Sequence, residues 1–285
     1  MASGQPKISF TFDDGITADQ PGYSFQEWNN MLLNKLNDAQ VKTIFFVTGQ
    51  NKTDKKGQFL LKSWNDRGHK IANHTYSHPF YNSDQISVEV FKAEILKTDS
   101  IIKEYENYMK LFRFPYLKEG NTEEKVNGVR DFLNESGYRN GYVTIDASDW
   151  YINSRLRERL AKDSDANLEG FKAFYLDHLY ERAQFYEQLS YKLTGRHIHH
   201  TLLLHHNLAA ALFIDELIDM FEEKGWEIVA ADQAYQDPVF KEVPDYAGES
   251  LIYALARDSG KFDPNLRYPA EDSRYEKEKM DQLGL

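Results

Sequence analysis

Short apolar runs alternate with longer amphipathic stretches along most of this chain, and that alternation restricts the fold more than any other feature. Such a succession calls for parallel strands joined by helical crossovers, in a sheet or a barrel. Strands are expected at KISFTF (7–12), TIFFV (43–47), KIANH (70–74), LFRFPY (111–116), RNGYVTID (139–146), TLLLHH (201–206) and WEIVAA (226–231). Helices are expected at 24–39 with Ser24 as N-cap, at 58–68 ending on Gly68, at about 87–108, at about 122–136 stopped by Gly137, and at 210–225. The polar segment 154–195 reads as one long helix inserted between core elements. From 237 to 285 the pattern loosens into a charged extension with Pro238, Pro244, Pro264 and Pro269. The expected domain spans 7–236, and the extension packs on it.

Composition narrows the class. A chain of 285 residues, 41% hydrophobic, is long enough to bury a substantial core. Its formal net charge of −11 argues against a nucleic-acid binder, which needs a basic face. No run approaches the ~18 apolar residues of a membrane span. No apolar stretch precedes the first strand, so an export signal is either absent or trimmed away, and MASGQPK reads as a leader. The lack of cysteine rules out disulfides, thiolate metal sites and a cysteine nucleophile.

In parallel α/β folds the functional groups gather at the carboxyl ends of the strands. Applied here, that rule collects Asp13 with Asp14, His74, Arg113 with Tyr116, Asp146 with Asp149, and His205 with His206. In HTYSH (74–78), His74 and His78 have the i, i+4 spacing that lets two imidazoles reach one divalent ion. A carboxylate from another strand end would complete a three-ligand site with open positions, the mark of a catalytic metal. Adjacent Asp13 and Asp14 would then divide the work. One would hold the ion and the other would take a proton from its water, with Arg113 as the partner that keeps the second ionised. A carboxylate such as Asp149 beside His205 would keep that histidine protonated and able to donate. Taken singly, each segment also has an ordinary reading: a turn after a strand, a strand ending at proline, a capped turn, a core histidine.

The segments TFDDG, HTYSH, RFPY, DASDW and LLLHH, in this order, resemble the five motifs of the polysaccharide deacetylases, the NodB-homology domain of carbohydrate esterase family 4. The resemblance runs from about Lys7 to Tyr235 and implies a distorted (β/α) barrel of about seven strands. It implies Asp13 as catalytic base, Asp14, His74 and His78 as ligands of one divalent metal (zinc first, with cobalt or nickel as alternatives), and Arg113 as tether of the base. It further implies the Tyr116 backbone N–H as oxyanion donor, Asp149 as the carboxylate tuning the acid His205, and Trp150 as a wall of the acetyl pocket. His206 stands where relatives often carry aspartate, and strand alternation sends the two histidines to opposite faces.

The activity implied is hydrolysis of acetyl groups on a polysaccharide, with N-acetylglucosamine units of peptidoglycan or a chitin-like glycan foremost, in a periplasmic or secreted setting. Rival readings are a small-amide hydrolase on the same fold, a non-catalytic glycan-binding descendant, and a protein whose long acidic helix binds a partner. The 154–195 segment and the tail exceed the family's minimal core and are expected to reshape access to the site.

Overall fold

The computed structural model describes residues 4–262 and 272–285, so Pro264 and Pro269 lie outside the described residues. In chain order the elements are β1 (Lys7–Asp14), α1 (Phe25–Asp38), β2 (Ile44–Val47), α2 (Lys55–Asp66), β3 (Lys70–Asn73), α3 (Val88–Ile102), β4 (Tyr108–Phe112), α4 (Glu123–Glu135) and β5 (Arg139–Asn140). They continue with α5 (Asp149–Lys162), α6 (Glu169–Thr194), β6 (His199–His205), α7 (Leu208–Glu223), β7 (Glu227–Ile228), α8 (Ala231–Ala234), α9 (Leu251–Asp258) and α10 (Arg274–Leu283). The strand pairs are parallel, in the order β5-β4-β3-β2-β1-β6, with β7 on β1. β5 pairs with β4, and by Ile145 the same segment has crossed to bridge Leu202 of β6. The curved sheet is thereby joined edge to edge, and the fold is the expected distorted (β/α) barrel.

Alternation along β1 sorts its side chains into two layers. Ile8, Phe10 and Phe12 turn outward and are fully buried under helices, where Phe10 meets Phe221 of α7 at 5.9 Å and Phe12 meets Trp64 of α2 at 5.4 Å. Each such side chain contributes about 1.5–3 kcal/mol by burial. Thr11 and Asp13 turn inward, beside Leu203 and His205 of β6 in register. Also inside the barrel, Ile44, Phe46, Ala72, Leu111, Ala231 and Tyr235 form a separate apolar cluster. Helix α1 starts as its sequence demands: Ser24 caps the Glu27 N–H, and the Glu27 carboxylate accepts from the Ser24 N–H at 2.8 Å.

Several expectations need correction, among them the strand of 111–116, which lies instead at Tyr108–Phe112. The segment 154–195 is two helices, not one, because 163–168 offers the backbone local partners: Asp163 Oδ1 accepts from the Asp165 N–H and Asn167 Oδ1 from the Glu169 N–H. The strand expected at 139–146 keeps only Arg139–Asn140 in the sheet. Its next carbonyls serve side chains instead, Gly141 O accepting from Arg113 and Tyr142 O from Tyr235 and Thr201. WEIVAA shrinks to Glu227–Ile228, since β2 already occupies that edge of β1 from Thr11 onward. The helix of 87–108 stops at Ile102, and Asn107 pins the following turn to Asn65 so that Tyr108 begins β4.

Candidate active site

Four parallel strands end on one side of the barrel, and their ends, with the loops that follow them, line a cavity of about 420 Å³. Asp13 and Asp14 close β1, His74 follows β3, Tyr116 lies beyond β4, and His205 closes β6. His78 and Trp150 complete the polar and aromatic lining. Asp14, the last residue of β1, has φ +80 and is followed by Gly15 at φ +93, a turn that ends the strand beside the buried Asp13. A side chain at Gly15 would meet Phe45, Val47 and Lys52 at 3.0 Å, so this turn requires glycine.

Asp14 Oδ1 lies 3.5 Å from His78 Nε2 and 3.8 Å from His74 Nε2. One ligand atom from each residue falls within 4.8 Å of the other two. His74 Nδ1 donates to the Arg113 carbonyl at 2.8 Å, which fixes the proton on Nδ1 and leaves the Nε2 lone pair for a cation. Burial pushes His74 and His78 down to about 4, so both imidazoles are neutral at pH 7. Burial alone would raise Asp14, but His205, His78, His74 and Lys52 outweigh it and hold its carboxyl below the usual range. Two neutral imidazoles and one carboxylate are the donor set of an N/O transition-metal site. In a tetrahedral zinc site such donor atoms stand roughly 3.3 Å apart, a small rotation away from the separations here. The residues therefore fit a single divalent ion.

Asp13 has different partners. Its Oδ1 accepts from Arg113 Nη1 at 2.5 Å, and its Oδ2 stands 3.7 Å from His74 Nε2. Arg113 is fully buried and held from every side, donating through Nε to Gly141 O, through Nη1 also to Thr11 Oγ1, and through Nη2 to the Tyr235 hydroxyl, each at 2.9 Å. Its guanidinium also lies 3.8 Å from the Phe46 ring centroid. Burial pushes Asp13 up to about 6, against the pull of Arg113 and His205. A carboxylate poised there can exchange a proton near neutrality.

Across the cavity, His205 Nδ1 donates to Asp149 Oδ1 at 2.6 Å. Asp149 Oδ2 accepts from the His205 backbone N–H and from Asn207 Nδ2, both at 2.9 Å. Asp149 opens α5, where the helix N-terminus favours a negative charge. Burial alone would lower His205, but Asp149, Asp14 and Asp13 override it and raise it to about 10, so the ring is cationic at pH 7. His206 takes the opposite face, buried between Trp28, Phe45 and Trp64, with Nε2 3.0 Å from Asn29 Oδ1. The neighbouring histidines thus separate as strand alternation requires.

Tyr116 and Leu117 are consecutive residues with φ of +55 and +54. Left-handed geometry at side-chain-bearing residues costs about 1–3 kcal/mol each and persists only where surroundings impose it. The Leu117 N–H donates to Phe114 O, while among the described residues the Tyr116 N–H has no hydrogen-bond partner. The Tyr116 ring, about half exposed, packs edge-on against His78 at 4.6 Å and Phe80 at 5.6 Å. Trp150 lies at the cavity rim, and Asp146 lines the wall.

The structure thus brings Asp13, Asp14, His74, His78, Arg113, Tyr116, Asp149, Trp150 and His205 together around one cavity, Arg113 and Asp149 acting from behind it. Sequence reasoning missed Thr11, Tyr235, Gly141 and Phe46, which hold Arg113, and Asn207, which holds Asp149. Tyr235 lies far along the chain from Arg113, and no spacing rule connects them. Asn207 carries a local signal as N-cap of α7, but a cap does not announce a second partner.

A sequence model of the family described as polysaccharide deacetylase matches residues 2–140. Over 145 residues the chain is 29% identical to a peptidoglycan-N-acetylglucosamine deacetylase of Bacillus cereus, covering 50% of this chain and 46% of that protein. The chain thus spans about half the length of that relative. A solved peptidoglycan N-acetylglucosamine deacetylase superposes with a TM-score of 0.55 at 22% identity, over 82% of this chain and 89% of the other. A pseudoenzyme of carbohydrate esterase family 4 from Bacillus anthracis superposes with a TM-score of 0.51 at 19% identity, over 81% and 66%. These likenesses at low identity establish the shared fold.

Proposed function

We propose, from the match of residues 2–140 to the polysaccharide deacetylase model and from the geometry of the site, that this chain is a metal-dependent hydrolase removing acetyl groups from an N-acetylated glycan. The observation that carries this reading is the division between adjacent carboxylates. Asp14 sits with both His74 and His78, while Asp13 commits Oδ1 to Arg113 and keeps only Oδ2 near His74. A divalent ion held by Asp14, His74 and His78 would supply Lewis acidity toward the acetyl carbonyl and the attacking water.

The chain's own residues supply the rest. Asp13 accepts the proton of the attacking water at Oδ2, since Oδ1 is committed to Arg113. The free Tyr116 N–H offers a hydrogen bond to the carbonyl oxygen as negative charge develops there, an interaction whose removal costs about 10²–10³ in rate in comparable sites. His205, protonated through Asp149, delivers a proton from Nε2 to the departing sugar nitrogen. Water adds to the acetyl carbon, the C–N bond breaks, and acetate and the free amine leave. Trp150 and the apolar wall of Leu203, Ala147 and Leu117 suit the acetyl methyl group.

Zinc is the ion proposed, on the strength of the two-imidazole, one-carboxylate donor set. The substrate proposed is N-acetylglucosamine in peptidoglycan or a chitin-like polymer, which places the work at the cell envelope. Among the described residues no helix is long and apolar enough to cross a membrane. Zinc-loaded protein should release acetate from N-acetylchitooligosaccharides or peptidoglycan and leave acetylated xylan and small cyclic amides largely intact. Turnover confined to the small amides would overturn the glycan assignment.

A further inference from the structure

The left-handed pair Tyr116–Leu117 needs something to hold it, and the segment that does so comes from beyond the barrel. Leu117 O accepts from the Glu249 backbone N–H at 2.9 Å. The Glu119 carboxylate, itself gripped by Arg130 and Asn140, accepts from the Gly248 N–H. Lys118 Nζ pairs with Glu249 Oε1 at 2.8 Å, with both side chains mostly shielded from water. The three residues after Tyr116 are thus each fastened to 248–249. The same stretch is tied down behind: the Leu251 N–H donates to Val143 O at 2.7 Å, Ser250 is fully buried, and Asp258 accepts from the backbone N–H groups of Asp245 and Tyr246.

We propose that the segment 245–251 is a positioning strap for the reaction, fixing the 116–119 loop so that the Tyr116 N–H is presented to the developing oxyanion. The inference rests on the role given to Tyr116 above. Approach of the two backbones is close enough that Gly248 is obligatory. At φ +108 it occupies a conformation L-residues avoid, and an added Cβ would sit 2.9 Å from Leu117 O. Among the described residues no hydrogen bond or ion pair joins the strap to Asp14, His74 or His78, so its action on turnover is separable from metal binding. The oxyanion donor in this chain is therefore set by tail residues lying outside the span of the five motifs.

The test compares wild type with Gly248→Ala and Glu249→Lys in the full chain, and with the charge-exchanged pair Lys118→Glu/Glu249→Lys. Three readouts are taken: kcat and KM for an N-acetylchitooligosaccharide, zinc affinity, and the Tyr116 amide resonance after selective ¹⁵N-tyrosine labelling. The strap predicts a kcat about tenfold to hundredfold lower in Gly248→Ala, in line with the cost of small misplacement. It also predicts unchanged KM and zinc affinity, a displaced Tyr116 resonance, and partial recovery of kcat in the exchanged pair relative to Glu249→Lys. Lowered melting temperature with wild-type kcat and an unmoved Tyr116 resonance would overturn it, leaving the segment merely structural. If wild type itself released no acetate, the proposed function would fail. The Tyr116 resonance would then decide the strap by itself: displaced in Gly248→Ala it supports the strap, unmoved it overturns it.

Discussion

Arg113 Nη1 stands 2.5 Å from Asp13 Oδ1, and both side chains are almost completely buried. Burial opposes ionisation of Asp13 and Arg113 restores part of it, leaving the carboxyl at about 6. Arg113→Met removes the lowering influence, so the folded pKa of Asp13 must rise. Because a base works only when ionised, the acidic limb of kcat/KM should move upward by at least about one pH unit. A limb that stays where wild type has it would contradict the assignment of Asp13 as base.

On the proposed mechanism the alkaline limb reports His205. A general acid must be protonated, so activity is present below its folded pKa of about 10 and lost as pH rises through it. Asp149→Asn deletes the largest influence holding that value up, and burial then drags it down. The bell should narrow from its alkaline side, its acidic limb nearly fixed, and a pH–rate profile of the variant checks this.

Metal removal gives a third outcome. Chelation should abolish acetate release, and one zinc equivalent per chain should restore it. His78→Ala and Asp14→Asn should weaken zinc binding by more than about 100-fold, beyond the cost of losing an outer hydrogen-bond partner. Calorimetric titration with zinc measures this, and unaltered affinity in both variants would remove the site.

The two neighbouring histidines should separate cleanly. His205→Gln should lower kcat by about 10²–10⁴, the range for loss of a general acid. His206→Gln should cost about 1–3 kcal/mol of folding stability through the buried bond to Asn29, with kcat of the folded protein retained. Denaturant unfolding alongside steady-state kinetics distinguishes them.

Much of this was legible in the sequence because the chemistry sits at strand ends, and strand ends are local. FTFDDG shows the alternation that turns Phe10 and Phe12 toward helices and Asp13 inward, and LLLHH shows why only one histidine faces the cavity. What could not be read depends on long-range closure. RNGYVTID has strand propensity throughout, yet Gly141 runs so close to Phe46 that an added Cβ would sit 2.4 Å from its ring, and its carbonyl goes to Arg113. Tertiary demand for those carbonyls overrode the local preference. In the 154–195 segment the Asp- and Asn-containing stretch at 163–167 was a visible breaker, and the helical pattern on either side masked it. The strap was invisible, because nothing in 245–251 announces that it meets Leu117.

The central claim is that Asp13, held off the metal by Arg113, drives acetyl hydrolysis. The most direct measurement is acetate release from an N-acetylated chitooligosaccharide by wild type and Asp13→Asn, each with its zinc content determined. The account predicts equal zinc in both proteins, with turnover in wild type and a loss of at least about 10²-fold in the variant. Equal turnover in the two, or zinc lost along with Asp13, would contradict it.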